Sequence, residues 1–133
     1  MHRLQDFLGD WRLAREITHG DGSAARFEGR AEWRAEDGGA LGGALYVETG
    51  NLIIGTGRFA AERRYRWGMD LSVWFEDGRF FHHIPPGGGA AAHWCDPDHY
   101  DAEYDFSRWP EWTARWRVRG PRKDYEMLSH YCR

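Results

Sequence analysis

The chain has 133 residues, of which 41% are hydrophobic and 16% aromatic, and a formal net charge of −3. That length suits a single domain, residues 1–133, and the aromatic content excludes a disordered chain. The negative balance excludes general nucleic-acid binding, and no run approaches the roughly 18 apolar residues that cross a bilayer. Met1 to Asp6 lacks the charged-then-apolar order of a signal peptide, so the expected location is the cytoplasm, with no membrane partner. Cys95 and Cys132 are too few and too far apart for a disulfide framework or a CxxC metal site, and free thiols are expected. Only Lys123 of the 18 basic residues is a lysine, which matches GC-rich codon usage.

In chain order, a short helical turn over Leu4–Leu8 comes first. Period-two alternation then predicts strands over 10–19, 25–35, 43–54, 57–68, 71–76, 79–84, 91–95, 99–107, 112–120 and 123–133. Turn signals separate them: Gly20-Asp21-Gly22, Asp37-Gly38-Gly39, Gly55-Thr56-Gly57, Asp77-Gly78, Pro85 to Gly89, Asp96-Pro97-Asp98 and Gly120-Pro121. Eight to ten short strands with tight connections predict an all-β, up-and-down antiparallel barrel, with a two-sheet sandwich as the alternative.

Charge pairs suggest registers. Around Ser107 to Glu111, Asp105, Glu103 and Asp101 fall opposite Arg115, Arg117 and Arg119. Around Pro121-Arg122, Arg119 meets Asp124 and Arg117 meets Glu126. The three arginines therefore read as a solvated salt-bridge ladder and not as a phosphate-binding stripe. The opposite, inward face carries Tyr100, Ala102, Tyr104 and Phe106, then Trp112, Ala114, Trp116 and Val118, then Tyr125, Met127, Ser129 and Tyr131. Hydroxyls on an inward face need partners, because burying them unbonded costs energy.

The Asp77-Gly78 hairpin sets Phe75 opposite Phe80, Val73 opposite His82 and Leu71 opposite Ile84. His82 then faces inward, and Trp74, Phe81 and His83 face water. The Asp96-Pro97 turn sets Cys95 opposite Tyr100 and His93 opposite Ala102, so His93 and Cys95 also face inward. Along 57–68, Phe59, Ala61, Arg63, Tyr65 and Trp67 share the inner face. Arg15 shares a face with Trp11, Leu13 and Ile17.

An inward arginine is costly to desolvate unless a partner or water compensates. No inward carboxylate is evident, so an anionic ligand is the expected partner, bound through parallel hydrogen bonds to guanidinium. Arg63 and Tyr65 lie two apart on one strand and can reach one anion. Alternatively, Arg63 lies at a barrel mouth, extends to water, or pairs with an acid such as Glu48 or Asp6. His82 and His93 suit either satisfied core positions or acid/base work, with zinc or haem ligation as further options. Cys95 beside His93 is a candidate nucleophile, although a buried thiol is normally inert. No G-x-S-x-G, P-loop or G-x-G-x-x-G opens a helix.

Phe7-Leu8-Gly9-Asp10-Trp11 resembles the opening of lipocalin-like (calycin) barrels, in which the Trp plugs the barrel base. Arg63-Arg64-Tyr65-Arg66-Trp67, Phe75 to Arg79, His93 to Tyr100 and Gly120 to Tyr125 resemble a family of short, uncharacterised, mostly bacterial proteins with such a barrel. That resemblance implies the fold and leaves the function open. Arg63-x-Tyr65 is similar to the Arg-x-Tyr pair with which fatty-acid-binding proteins hold a carboxylate. Nitrobindin-like barrels imply a late haem-binding histidine, and His130 is the one late histidine, on the outer face. Phenolic-acid-decarboxylase-like barrels imply Arg, Tyr and an inward Glu.

The expected function is binding of a small or medium anionic, partly apolar ligand inside the barrel, without cofactor or metal. Its acid group would rest on Arg63 and Tyr65, and its body among Trp33, Trp67, Tyr104 and Trp116. Arg15, His82, His93 and Tyr100 complete the candidate site. The alternatives are an enzyme using Arg63, Tyr65 and His82 on an acidic substrate, and a packed interaction barrel without ligand. Outward Trp74, Phe81 and Trp94 hint at a homodimer.

Overall fold

The computed structural model describes residues 1–36, 43–95 and 97–133, with only the backbone described at 94 and 95. The expected turn at Asp37-Gly38-Gly39 and the side chains of Trp94, Cys95 and Asp96 lie outside the described residues. The elements are α1 (Leu4–Phe7), β1 (Gly9–His19), β2 (Ala24–Ala35), β3 (Ala44–Ile54), β4 (Gly57–Trp67), β5 (Ser72–Phe75), β6 (Phe80–His83), β7 (Gly89–Cys95), β8 (Asp98–Arg108), β9 (Glu111–Arg119) and β10 (Asp124–Cys132). The strands form one antiparallel sheet in the order β6-β5-β4-β3-β2-β1-β10-β9-β8-β7. It curls into the expected barrel, with no backbone ladder joining β6 to β7 among the described residues.

The alternation explains the curl. Trp11, Leu13 and Arg15 of β1 are buried, as are Ala25, Phe27, Ala31 and Trp33 of β2, while the residues between them are largely exposed. Each strand therefore turns one face to a shared interior and one to water. β2 and β3 come closest at Gly29 and Gly50, which face each other in register. A Cβ on Gly29 would lie 2.1 Å from the Thr49 carbonyl, and one on Gly50 would lie 2.2 Å from that of Glu28. Only glycine permits this approach.

One end is plugged. α1 crosses it and buries Leu4 and Phe7. The Trp11 indole donates from Nε1 to the Phe7 carbonyl at 2.7 Å. The Arg133 guanidinium lies 4.0 Å from the Trp11 ring and donates to the Leu8 and Asp6 carbonyls. Phe7, Trp33, Trp67, Phe106 and Trp112 complete an aromatic layer whose rings meet mostly edge to face, the favoured arrangement. The opposite end, bounded by the β1–β2, β3–β4, β5–β6, β7–β8 and β9–β10 turns, has no helix across it among the described residues.

Three expected registers change. In β8–β9 the ladder pairs Asp101 with Arg117 and Glu103 with Arg115, two residues from the expected match. An irregularity between Asp105 and Arg108 takes up the difference, and the two-residue turn Trp109-Pro110 closes the hairpin. The same faces remain inward, because a shift of two preserves the alternation. In β7–β8, Cys95 opposes Asp98 and His93 opposes Tyr100, two residues from the expected match. In β5–β6, Val73 meets His82 as expected, but a bulge then sets Trp74 opposite Phe80. The bulge turns Phe81 inward, so it leaves the outer aromatic patch, and Phe80 is exposed in its place. The β9–β10 register holds, with Asp124 opposite Arg119 and Glu126 opposite Arg117. The arginines of this ladder reach acids, Arg115 to Glu126 and Arg117 to Asp124. No helix among the described residues is long and apolar enough to cross a membrane.

If Trp11 fastens the plug, Trp11→Ala should cost about 3–5 kcal/mol in urea unfolding. A loss below about 1 kcal/mol would show that α1 and Arg133 close the barrel without it.

Candidate functional site

The floor of the interior is an ion pair. Arg15 is 7% exposed and Glu48 1% exposed. Arg15 donates from Nη1 and Nη2 to the two Glu48 carboxylate oxygens at 3.1 and 2.8 Å, and from Nε to Ser129 Oγ at 2.7 Å. Arg15 stands opposite Phe27 in register and Glu48 opposite Ala31. The bare Gly29 and Gly50 lie between those two rows and leave no side chain in the path of the guanidinium. Its Cζ also lies 5.5 Å from the Phe27 ring centre.

Two tyrosines extend the pair. Tyr46 donates its hydroxyl proton to Glu48 at 3.2 Å. Its oxygen must then accept the 2.8 Å bond from Tyr131. Burial alone would lower the Arg15 pKa, but Glu48 reverses this and raises it. Burial pushes Tyr131 up to about 12 despite Arg15 beside it, and also raises Tyr46. The floor is charge-balanced and holds its protons firmly at neutral pH.

A second polar chain forms one wall. His82 is 2% exposed, and its Nε2 lies 2.7 Å from the Tyr104 hydroxyl. Trp116 Nε1 donates to the same oxygen at 3.3 Å. His82 Nδ1 is buried with no hydrogen-bond partner. Burial, then the nearby His93 and His83, push its pKa down to about 3, so the imidazole is neutral at pH 7.

The open end differs. Arg63 shares the inner face with Tyr65, yet it is exposed. It makes no ion pair among the described residues. In register it stands opposite Glu48, which is already taken by Arg15. Burial raises the Tyr65 pKa, and the Arg63 charge beside it acts the other way. Tyr65 packs edge-on against Trp116 at 6.0 Å. Tyr100, Tyr125 and His93 are half-buried at the same end. Lys123 bonds Asp98 and reaches the Tyr100 hydroxyl at 3.5 Å. Phe59, 54% exposed, stands on the β3–β4 hairpin beside them.

Arg15, Tyr65, Tyr104, Trp116, Tyr46, Glu48, Ser129 and Tyr131 thus share one cavity with Trp67, Val73, Trp112 and Ala114 as its other walls. Its volume is about 20 Å³, room for about one water. Arg63, His93 and Tyr100 belong to the mouth above it, and His82 sits behind the wall. Two sequence expectations are corrected here. An inward carboxylate exists, Glu48, and the interior is filled by its own rings. Ala44-x-Tyr46-x-Glu48 carried the signal for the first, because alternation puts Glu48 on the face of Tyr46. No group of three or more His, Cys, Asp or Glu side chains suited to a metal occurs among the described residues. His130 is exposed on the outer face.

A ten-stranded antiparallel barrel with a Gly-x-Trp plug and a polar interior open at the far end is a lipocalin-like barrel. The chain belongs to the family of unknown function DUF6314, whose model matches residues 7–133. No curated protein matches it. Among solved structures it is similar to the S-type phycobiliprotein lyase CPES from Guillardia theta, with a TM-score of 0.67 and 9% identity. The match covers 98% of this chain and 89% of that one, and it establishes the shared fold.

Glu48→Ala leaves Arg15 buried and unpaired and should cost about 3–5 kcal/mol in urea unfolding. Replacing both partners, Arg15→Met with Glu48→Leu, should recover most of that loss. A single Glu48→Ala change costing less than about 1 kcal/mol would show that the pair is hydrated and is not a buried floor.

Proposed function

We propose that this protein binds a small anionic, partly apolar molecule through the open end of its barrel. The observation that carries the reading is Arg63, a guanidinium on the inner face at the mouth with no carboxylate partner among the described residues. Its environment suits a carboxylate: Tyr65 on the same strand offers a hydroxyl, and the rings of Tyr65, Trp116 and Tyr100 offer apolar faces. The charge-balanced floor of Arg15 and Glu48 has no charge to spare for the ligand, so the acid group belongs at the mouth. The lyase neighbour is named for work on phycobiliproteins, and its name leaves the ligand of this chain open.

The small cavity favours a second reading, a packed barrel that acts by contact and holds no ligand. It is weaker because a merely packed barrel has no need of an inward arginine at its mouth. Acid/base catalysis by Arg63, Tyr65 and His82 is weaker still: His82 sits behind the wall, bonded to Tyr104, and does not face the mouth.

The test is a titration of purified protein with aliphatic and aromatic monocarboxylates, followed by fluorescence of its eight tryptophans. Native mass spectrometry beside it detects any retained ligand. Arg63→Ala should weaken carboxylate binding about tenfold or more, while Arg58→Ala, on the outer face of the same strand, should not. Equal affinity in wild type and Arg63→Ala would overturn the assignment. No binding of any acid and a clean apo mass would favour the packed barrel.

A further inference from the structure

A cavity of about 20 Å³ admits no organic acid beyond the mouth, so a ligand that reaches deeper than the mouth needs one wall to move. The least secured wall is the β5–β6 hairpin. Its strands have four residues each, and β5 meets β4 at only three register pairs, Tyr65–Phe75, Arg66–Trp74 and Trp67–Val73. On its other side no backbone ladder joins β6 to β7 among the described residues. Among the described residues, aromatic contacts span that seam: Phe80 and Phe81 against His93 at 6.0 and 5.9 Å, and Phe81 against Tyr100 at 5.1 Å.

The hairpin is also flanked by turns with left-handed backbone. Leu71 has φ of 66°, a conformation that disfavours a branched side chain, and Gly88 and Gly89 have φ of 87° and 117°. Between those turns the hairpin inserts Val73 into the cavity wall, and Phe81 and His82 against Trp116. Elements with few backbone bonds and special turns at both ends are those that open locally.

We propose that the β5–β6 hairpin is a gate over the barrel interior, swinging on its two flanking turns, and that protonation of His82 opens it. The groups facing His82 fit this role. Val73 pairs with it from β5, Tyr104 from β8 bonds its Nε2, and Trp116 from β9 packs edge-on against it. His93 of β7 and the adjacent His83 add only like charge when protonated. No carboxylate among the described residues hydrogen-bonds His82, so nothing compensates an imidazolium while the hairpin is closed.

The direction follows from linkage. Closed, His82 holds a proton only near pH 3, because burial disfavours the charged ring. Open and hydrated, it returns to the ordinary histidine range near 6.5. Protons therefore bind the open form preferentially as pH falls below about 6.5. The open population should rise about tenfold per pH unit between about pH 6 and about pH 4. The gate's use as an entrance rests on the ligand reading above, but its motion does not.

Hydrogen exchange read by mass spectrometry, corrected for the intrinsic pH dependence of exchange, tests this without any ligand. Amides of residues 72–83 should lose protection from pH 7 to pH 4.5 while those of β2 and β3 keep theirs. His82→Gln should abolish the pH slope, because glutamine cannot take the proton. Tyr104→Phe should loosen the hairpin at pH 7 and keep the slope, because the imidazole remains titratable. Equal loss of protection across the whole barrel, an unchanged slope in His82→Gln, or an unaltered hairpin in Tyr104→Phe would each overturn the proposal. A gate that opens with acid in a protein that binds no carboxylate would leave this inference standing and overturn the ligand reading alone.

Discussion

Arg15 on β1 and Glu48 on β3 meet across the strand that separates them, and the rest of the interior is arranged around that pair. An arginine and a glutamate taken out of water lose several kcal/mol of hydration each, and their attraction compensates only if geometry is good and the remaining polar atoms are bonded. Both conditions are met here. The contact is bidentate, Ser129 accepts from Nε, and Tyr46 donates its hydroxyl to the carboxylate while accepting from Tyr131. Those partners come from β1, β3 and β10, so the network ties together strands distant in sequence. It also accounts for the glycine pair Gly29 and Gly50, whose missing side chains bring β2 and β3 together between the rows of Arg15 and Glu48.

The two ends of the barrel follow from where this pair sits. Below it the interior is almost wholly aromatic, and the Trp112 and Tyr131 rings stack 4.0 Å apart. Rings of that size fill the base and leave α1 only the task of covering it. Above the pair the rings become the half-buried Tyr65, Tyr100 and Tyr125, with Trp116 bonded inward to Tyr104. With the floor already neutral, Arg63 is an inner-face charge without a carboxylate partner among the described residues, and the proposed anion site at the mouth rests on it. The same arrangement leaves β5 and β6 as a short flap on an otherwise long-stranded sheet, with His82 the one titratable group the flap buries.

Much of the fold was legible because its signals are local. Alternation in Trp11-x-Leu13-x-Arg15, in Tyr100 to Phe106 and in Tyr125 to Tyr131 assigns faces without reference to any neighbour. Turn residues such as Asp77-Gly78 delimit the hairpins. Where structure and sequence expectation differ, the cause is an extra residue taken up within a strand, which side-chain type does not report. The irregularity before Arg108 moved a register by two residues, and the bulge at Val73 and Trp74 turned Phe81 from the outer face to the core. Glu48 was legible only as an alternative partner for Arg63, and its pairing with Arg15 was not, for a different reason. A lone glutamate in a strand is usually a solvated position, and only its distant partner Arg15 makes burial tolerable.

The sequence by itself determined the strand pattern: an all-β barrel of eight to ten antiparallel strands, Gly-x-Trp at its opening, and arginines 15 and 63 on apolar faces. Period-two patterning and turn chemistry depend on residues a few positions apart, so one chain suffices to read them. The tertiary structure alone decided which arginine meets a carboxylate among the described residues and which does not. That depends on Arg15 and Glu48 meeting from strands 33 residues apart, and on Arg63 lying too near the mouth to be enclosed. It also decided how little space the rings leave inside and which edge of the sheet stays unbonded. Those are properties of packing and closure, and no local pattern encodes them.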